Sequence, residues 1–414
     1  MQSVLSRVAQ TIRPSATLAA GALARQLKAQ GLHIYDFSLG EPDFPTPEHI
    51  RRAAYRAMEQ GHTRYTPAAG IPELRAAISQ WYRSSGGPDY SADEILVSSG
   101  AKHALYNVLA ALCDPGDEVL IPAPYWVSYY DMVAMTGARP IVVPTAAEQG
   151  FKLTADALRA ACTPRTKLVL VNSPCNPTGT VYTPEELYEL TMAAWERGLW
   201  IVSDEIYEKL IYPPARFVRV ATLDVRLRER VCTVSGVSKT YAMTGWRIGW
   251  VGAPKELVQA MANIQSQQTG CPCSVSQYAA LAAVTGDQSC VEQMRQEFEK
   301  RRDLVCRAVA NIPRLALRPT PGGAFYAFIN VQACLGAEVN GQTLTDDVAF
   351  CQWALHKVQV NLVPGSAFGA PGYVRLSFAA SREELQAGLD RLERFVQELR
   401  PRCPSHNRHS ADSD

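Results

Sequence analysis

The residue with the most distinctive chemistry is Lys239, which follows an apolar run that ends near Val234. Ligands of open α/β sheets bind at the carboxyl ends of the strands, so a lysine there lies where a site is expected. Its small and apolar neighbours disfavour the ammonium form, and a neutral amine can condense with an aldehyde. Ser238 and Arg247 could both hold a phosphate. Together they indicate Schiff-base chemistry beside a phosphate, although most lysine and arginine pairs at this spacing are solvated surface residues.

A carboxylate, Asp204, ends another apolar run and is followed three residues later by Tyr207. A buried carboxylate without a partner is costly, so Asp204 needs a cation. A pyridinium nitrogen would serve, because the carboxylate keeps the ring protonated and the protonated ring takes up electrons from a substrate carbanion. Tyr207 could donate to a phenolate oxygen of the same ring. The structural alternative is that Asp204 caps the next helix and Tyr207 packs in an interface.

Two more loops are expected at the same sheet edge. The proline- and glycine-rich stretch 172–179 predicts a rigid loop that points Asn176 at the site. The stretch 98–103 joins a strand to a helix beginning near Ala101, and its small residues let backbone N–H groups approach a phosphate. It is neither a Walker loop nor a dinucleotide fingerprint. Since 365–369 leads from strand to strand, nucleotide binding is disfavoured.

The elements that must position these residues are apolar runs alternating with helical patterns between 91 and 252. Runs that are apolar throughout are typical of parallel strands buried on both faces, so we predict an α/β sheet with helices on both faces. The predicted strands are 94–98, 118–122, 140–143, 167–172, 200–204, 231–234 and 248–252. Thr183 before Pro184 predicts the start of a helix that runs to about Arg197.

After about Gln288 the pattern changes to two long amphipathic helices, 292–310 and 383–399, with short strands near 324–328, 358–363 and 373–377. This predicts a smaller α+β domain. We therefore divide the chain into an N-terminal segment, 1–45, that packs with the small domain, a large cofactor-binding domain, 46–288, and the small domain, 289–400. The polar tail 401–414 is predicted to be disordered.

Composition excludes several other classes of protein. The net charge of +1 lacks the basic footprint that nucleic acid or an anionic membrane selects. No apolar run approaches the roughly 18 residues of a membrane span, and the first residues lack a secretory signal. The 11 cysteines, irregularly spaced and odd in number, favour reduced thiols and a cytoplasmic enzyme. Cys271 and Cys273 have neither zinc nor redox spacing, so no metal is predicted.

Seven motifs, taken together with their order along the chain, resemble those of the class I, fold-type I aminotransferases, which depend on pyridoxal 5′-phosphate. Within that family the chain is most similar to the aspartate and prephenate aminotransferases of the bacterial type. The resemblance covers about 13–399 and implies a large, mainly parallel-sheet domain with a smaller α+β domain. The motifs lie at 13–17, 40–44, 65 with 70–75, 124–129, 204–207, 235–249 and 374–377.

The resemblance implies a role for each matching residue. Lys239 holds the cofactor as a Schiff base and, once substrate displaces it, moves a proton between the substrate Cα and the cofactor C4′. Around the cofactor the implied contacts are Asp204 at the ring nitrogen, Tyr207 and Asn176 at the phenolate oxygen, Trp126 stacked on the ring, and Gly100, Ala101, Lys102, Ser238 and Arg247 at the phosphate, with Tyr65 reaching it from a second subunit. Arg375 clamps the substrate α-carboxylate, assisted by Gly40 and Asn176.

Lys102 and Thr17 match positions that read a second carboxylate in the bacterial-type aspartate enzymes. We therefore expect a homodimer that transfers the amino group of L-aspartate to 2-oxoglutarate by a ping-pong mechanism. Cys175 and the stretch 270–273 depart from the family pattern beside the predicted site. A prephenate, aromatic or alanine aminotransferase, or a lyase of the same fold, would keep every cofactor residue. A cofactor-sensing regulator would need a DNA-binding module, for which the chain has no room.

Overall fold

The computed structural model describes residues 4–12 and 14–400, so the predicted disordered tail, 401–414, lies outside the described residues. The helices of this part of the chain, numbered in order, are α1 (Arg7–Thr11), α2 (Ala16–Ala29), α3 (Glu48–Glu59), α4 (Pro72–Ser84), α5 (Ala101–Leu112), α6 (Ser128–Met135), α7 (Ala155–Ala161), α8 (Pro184–Glu196), α9 (Val237–Thr240), α10 (Lys255–Gln268), α11 (Ser274–Thr285), α12 (Ser289–Asn311), α13 (Asp347–Val358) and α14 (Arg382–Gln397). The strands are β1 (Tyr35–Asp36), β2 (Ile95–Ser98), β3 (Glu118–Ala123), β4 (Arg139–Pro144), β5 (Thr166–Asn172), β6 (Trp200–Asp204), β7 (Val231–Gly236), β8 (Gly249–Gly252), β9 (Tyr326–Asn330), β10 (Glu338–Val339), β11 (Gln342–Thr343), β12 (Val360–Asn361), β13 (Val363–Pro364) and β14 (Tyr373–Ser377).

The predicted α/β sheet is confirmed as a seven-stranded sheet in the order β2-β8-β7-β6-β5-β3-β4. Neighbouring strands from β7 to β4 pair in parallel, whereas β8 pairs antiparallel with both β7 and β2. The expectation of a parallel strand at 248–252 is therefore wrong. A parallel return needs a crossover of a dozen or more residues along a sheet face, but the segment 237–248 has room only for the short helix α9 and one 3-10 turn, Thr244–Trp246.

Helices cover both faces of this sheet, as predicted. Successive residues of β2 belong to different cores, because Leu96 packs with Leu105 of α5 while Val97 packs with Leu74 of α4. Burial of both faces explains why most of these strands are apolar throughout, whereas the edge strand β4 is largely exposed. The predicted start of α8 is also confirmed, since the Thr183 hydroxyl accepts from the backbone N–H of Glu186 over 3.2 Å.

The C-terminal part of the chain forms a three-stranded antiparallel sheet, β13-β14-β9. The predicted strand 358–363 is split, because β12 pairs in parallel with β1 while β13 pairs with β14. The two-residue strand β1 left no recognisable pattern in the sequence. Beside it, Ala24 and Ile34 pack with Leu355 of α13, so the N-terminal residues contact this part of the structure. The domain boundaries themselves stay a prediction.

None of the helices formed by residues 4–12 and 14–400 combines the length and the apolar character that crossing a membrane requires.

Candidate active site

A cavity of about 470 Å³ opens at the carboxyl edge of the large sheet, where β5, β6 and β7 end. Its walls come from the N-terminal segment, the large sheet with its helices, and the C-terminal sheet. Lining residues include Ser15, Thr17, Leu18, Arg25, Ser38, Leu39, Gly40, Glu41, Ala101, Lys102, Trp126, Tyr129, Asn172, Asn176, Asp204, Tyr207, Ser238, Lys239, Thr244, Arg247, Tyr326 and Arg375. A volume of this size is typical of small-molecule sites.

Lys239 lies on the short helix α9, directly after β7, and its amine donates a hydrogen bond to the carbonyl oxygen of Gly40. Removal from water lowers the pKa of this amine to about 8, although the carboxylate of Glu41 opposes the shift. Arg375 and Arg247 add to the lowering, since nearby positive charges disfavour the ammonium form. Near pH 8 a large share of the amine is therefore neutral and able to act as a nucleophile or a base.

Asp204 ends β6 and is buried, with the hydroxyl of Tyr129 donating to its Oδ2 over 2.6 Å. The backbone N–H of Ile206 donates to Oδ1 over 3.2 Å. Burial raises the pKa of this carboxyl to about 6, although both hydrogen bonds favour the charged form. Among the described residues Asp204 forms no salt bridge, although the charge of Lys239, in the same cavity lining, also favours the charged form of its carboxyl.

We expect Tyr129→Phe to lower the free energy of unfolding by about 1–3 kcal/mol at pH 8, because the variant leaves a buried carboxylate with one donor fewer. The loss shrinks at pH 5, where the carboxyl of the cofactor-free protein is protonated and needs the donor less. Urea denaturation at both pH values measures it. Tyr106→Phe is the control, since Tyr106 forms no side-chain hydrogen bond within the described part of the chain. Equal losses at the two pH values would contradict the prediction.

Arg375 lies on β14 with only 1% of its surface exposed. One terminal nitrogen donates to Asn176 Oδ1 over 3.0 Å and the other to the carbonyl oxygen of Ser38 over 2.7 Å. Its Nε is buried and has no hydrogen-bond partner among the residues that the structure describes. The guanidinium lies over the rings of Tyr326 and Phe368, at 4.5 and 5.0 Å from their centroids. Burial lowers its pKa. A buried cation with an unused donor in a cavity wall is prepared for an anion.

Tyr207 and Asn176 are both positioned by hydrogen bonds to neighbouring residues of the cavity lining. The hydroxyls of Tyr207 and Tyr326 lie 2.8 Å apart. The backbone N–H of Asn176 donates to Asn172 Oδ1 over 2.8 Å, and Asn172 Nδ2 donates to the carbonyl oxygen of Asp204 over 2.9 Å. The loop after β5 is thus tied to the end of β6, which fixes where the Asn176 amide points.

The opposite end of the cavity is formed by the start of α5 and by Arg247. Gly100 caps α5 with φ +89°, and any Cβ at this position would collide with the Arg247 guanidinium. Arg247 donates to the carbonyl oxygens of Thr244, over 2.9 Å, and Ser99, over 3.3 Å. The first N–H groups of a helix have no partner inside the helix. With the buried Ser238 nearby in the lining, this end can bind an anion such as a phosphate.

Lys102 and Thr17 line the cavity as well. The Lys102 amine lies over the Trp126 ring at 5.0 Å from its centroid. Burial and then the charge of Arg247 lower the pKa of Lys102. The Thr17 hydroxyl lies 3.0 Å from that of Ser15 at the start of α2. The cavity therefore has positive charge at positions well separated in the chain.

Comparison with known proteins identifies the family that shares this arrangement. The family model described as aminotransferase class I and II matches residues 33–392. The chain belongs to that family. It is 45% identical over 393 residues to an aspartate aminotransferase of Geobacillus stearothermophilus, covering 95% of this chain and 99% of the relative. It is 44% identical over 393 residues to an aspartate/prephenate aminotransferase of Cereibacter sphaeroides, covering 94% and 98%.

Solved structures of aminotransferases share the fold. An aspartate aminotransferase from Rhizobium meliloti superposes with a TM-score of 0.92 at 42% identity, covering 96% of this chain and 100% of that structure. An aspartate aminotransferase from Thermus thermophilus with maleate gives a TM-score of 0.89 at 41% identity, covering 95% and 100%. The resemblance inferred from the motifs and the fold-type I architecture are both confirmed.

Most residues that the sequence singled out line this one cavity. Gly100 lies beside the lining residue Ala101, whereas Tyr65 does not line the cavity and has 96% of its surface exposed. The departures from the family pattern also lie outside the lining. Cys175 borders a separate small cavity, and Cys271 Sγ accepts from the backbone N–H of Thr66 over 3.4 Å.

Sequence reasoning missed several lining residues, among them Ser38, Glu41, Tyr129, Thr244, Tyr326 and Arg25. Tyr129 is the last residue of the motif 124–129, and its place in that motif is the signal that could have identified it as a site residue. Glu41 lies in the motif 40–44. Its carboxylate accepts a hydrogen bond from the Thr244 hydroxyl over 2.7 Å. Tyr326 and Arg25 lay in stretches without a motif, so only the packing of distant segments brings them to the aminotransferase cavity.

Proposed function

We propose that this aminotransferase uses pyridoxal 5′-phosphate to transfer the amino group of L-aspartate to 2-oxoglutarate, giving oxaloacetate and L-glutamate in two half-reactions. The observation that carries the proposal is that Lys239, Asp204 and Arg375 line one cavity together with Lys102. A base, an acid for a ring nitrogen and two carboxylate-binding cations are then available to one substrate.

The residues present fit pyridoxal phosphate. Asp204 is a buried carboxylate in the cavity lining that forms no salt bridge with the described residues, so it is available to pair with a pyridinium nitrogen. Glycine at position 100 lets the Arg247 guanidinium lie against the start of α5, so the cation and the first N–H groups of the helix are side by side at one end of the cavity. The residues that would hold the cofactor are Gly100, Ala101, Lys102, Ser238 and Arg247 at the phosphate, Trp126 on the ring face, Asn176 and Tyr207 at the phenolate oxygen, Asp204 at the ring nitrogen and Lys239 at the aldehyde carbon.

Bound pyridoxal phosphate supplies an aldehyde that condenses with amines and a protonated ring that stabilises negative charge at the substrate Cα. With the cofactor bound, the amine of Lys239 would be the base that takes the proton from the substrate Cα and would carry that proton to the cofactor. Its lowered pKa suits that task, since a base works best when its pKa lies near the working pH. Asp204 keeps the ring protonated, with Tyr129 holding its carboxylate in place.

Substrate orientation is assigned to Arg375, whose fork binds the α-carboxylate with help from Asn176 and Gly40. Both terminal nitrogens are already held by fixed acceptors, so little side-chain freedom is lost when an anion binds. Fixing this carboxylate directs the Cα–H bond at the base, and such positioning accounts for a large part of catalysis.

A dicarboxylic substrate is supported by Lys102 and Thr17 in the lining. The relatives named aspartate aminotransferase, and the Thermus thermophilus enzyme solved with the dicarboxylate maleate, support the same substrate class. A second candidate substrate is prephenate, because two relatives are named aspartate/prephenate aminotransferase. Tyr65, exposed and outside its own cavity, is proposed to reach the phosphate of a second subunit in a homodimer.

The test is a panel of half-reactions with purified protein and pyridoxal phosphate, followed by the change in the cofactor absorption spectrum. We expect aspartate and glutamate to react with the largest kcat/KM, and oxaloacetate and 2-oxoglutarate to reverse the change. Prephenate, phenylpyruvate and pyruvate serve as competing acceptors. Preference for alanine or for aromatic amino acids over both dicarboxylic donors would overturn the assignment.

A further inference from the structure

Helix α2 forms one wall of the cavity mouth and is fixed to the C-terminal part of the chain. Asn361 Nδ2 donates to the carbonyl oxygen of Ala20 over 3.1 Å. On the same side Ala24 is fully buried against Ile34 and Leu355. A helix anchored along one side presents its other side in a defined direction, so its remaining side chains have a fixed relation to the cavity.

The side of α2 towards the cavity carries Leu18, Gly21 and Arg25, spaced three and four residues apart as one helical face requires. Leu18 and Arg25 belong to the cavity lining. A Cβ at Gly21 would lie 3.6 Å from Arg25 Nη1, 3.8 Å from the Leu39 side chain and 3.9 Å from Ser38 Oγ. These are ordinary contact distances, so the Arg25 guanidinium packs along this face of the helix beside Gly21, Ser38 and Leu39.

Arg25 differs from the other cavity arginines because its side chain bonds to none of the described residues. Arg375 and Arg247 donate to fixed acceptors of the protein. Arg25 forms neither a salt bridge nor a side-chain hydrogen bond with the residues that the structure describes. Its planar fork, with five donors, therefore has no partner within the described part of the chain and lies in the cavity lining.

We propose that Arg25 is a specificity-determining residue that binds the second carboxylate of dicarboxylic amino and 2-oxo acids. The inference rests on the proposed function, in which Arg375 holds the α-carboxylate. Arg375 is almost fully buried whereas Arg25 is exposed, so the far end of a bound substrate extends from the floor of the cavity towards α2. The mouth then has two cations on different segments, Lys102 on α5 and Arg25 on α2.

The test compares Arg25→Ala with the unsubstituted holoenzyme. We expect the ratio of kcat/KM for glutamate to that for alanine to fall by about 10–100-fold, as is typical for the loss of a charge-assisted hydrogen bond. Arg25→Lys restores part of the ratio, because an ammonium keeps the charge and loses the fork. Lys28→Ala, a basic residue of the same helix that does not line the cavity, and Gly21→Ala, whose Cβ fits at ordinary contact distance, are expected to keep the ratio.

A second readout is the binding of maleate, which cannot be transaminated, measured by calorimetry with acetate as the monocarboxylate control. Arg25→Ala weakens maleate binding by about 10–100-fold, beyond any effect on acetate. A ratio or an affinity within about twofold of the unsubstituted protein overturns the role of Arg25. Absence of transamination with every donor would overturn the proposed function instead, while maleate binding would still decide whether Arg25 reads a second carboxylate.

Discussion

Lys239→Ala is expected to lower kcat for transamination by about 10⁴-fold or more, the upper range for loss of a positioned acid–base group. The amine lies at the carboxyl edge of the sheet, and burial lowers its pKa to about 8. The described cavity lining contains one other lysine, Lys102, and its amine lies over the Trp126 ring. Single-turnover kinetics with aspartate measure the effect. Borohydride reduction should attach the cofactor to the unsubstituted chain and not to the variant.

The matched control for Lys239 is Lys209→Ala. Burial also lowers the pKa of Lys209, but its amine lies over the Trp81 ring, outside the cavity. In the unsubstituted protein the rate of cofactor capture should rise as the pH increases through about 8, because the amine becomes neutral above its pKa. Retention of borohydride trapping and of full turnover by Lys239→Ala would contradict the role given to this residue.

Asp204→Asn is expected to lower kcat by about 10²–10³-fold, because an amide cannot keep the ring nitrogen protonated and the site loses a fixed charge. The substitution preserves shape, and the amide oxygen can still accept from the Tyr129 hydroxyl. Steady-state kinetics with aspartate and 2-oxoglutarate measure the loss. A Glu205→Gln variant is the control, since Glu205 is buried next in sequence yet does not line the cavity.

The same variant should be at least as stable as the unsubstituted protein when the cofactor is absent. The pKa of Asp204 is raised to about 6, above the usual 3.8, so folding favours the protonated carboxyl and stability is lost as the pH rises between these values. The free energy of unfolding of Asp204→Asn relative to wild type should thus increase by up to about 3 kcal/mol between pH 4 and pH 7. Denaturation across this range measures the difference. A constant difference would contradict the raised pKa.

Addition of pyridoxal phosphate should make the unsubstituted protein more stable than Asp204→Asn. A protonated ring nitrogen supplies a salt-bridge partner that the buried carboxylate does not have among the described residues, so binding stabilises the unsubstituted protein more than the variant. Melting temperatures with and without the cofactor give the comparison. An equal increase in both proteins would remove Asp204 from the proposed cofactor contacts.

The large sheet and the region of the site could be predicted from the sequence because both depend on local patterns. Strands buried on two faces are apolar throughout, and the carboxyl ends of parallel strands meet at one edge. Asn172 and Asp204 end such strands and Lys239 follows one, so the sequence alone indicated that they lie near one another. The roles of Arg375, Lys102 and Thr17 came only from resemblance to the family, since no local pattern distinguishes them from other polar residues.

The sequence by itself thus determined the α/β sheet and singled out Lys239, Asp204 and Asn176 as residues of one sheet edge. Only the tertiary structure decided the reversed direction of β8, the hydrogen bond from Tyr129 to Asp204 and the approach of Arg25 to the cavity. The direction of β8 depends on whether its connection crosses the sheet. The hydrogen bond and the position of Arg25 each bring together residues that are far apart in the chain. Such contacts follow from how whole elements pack, which no periodicity within one element records.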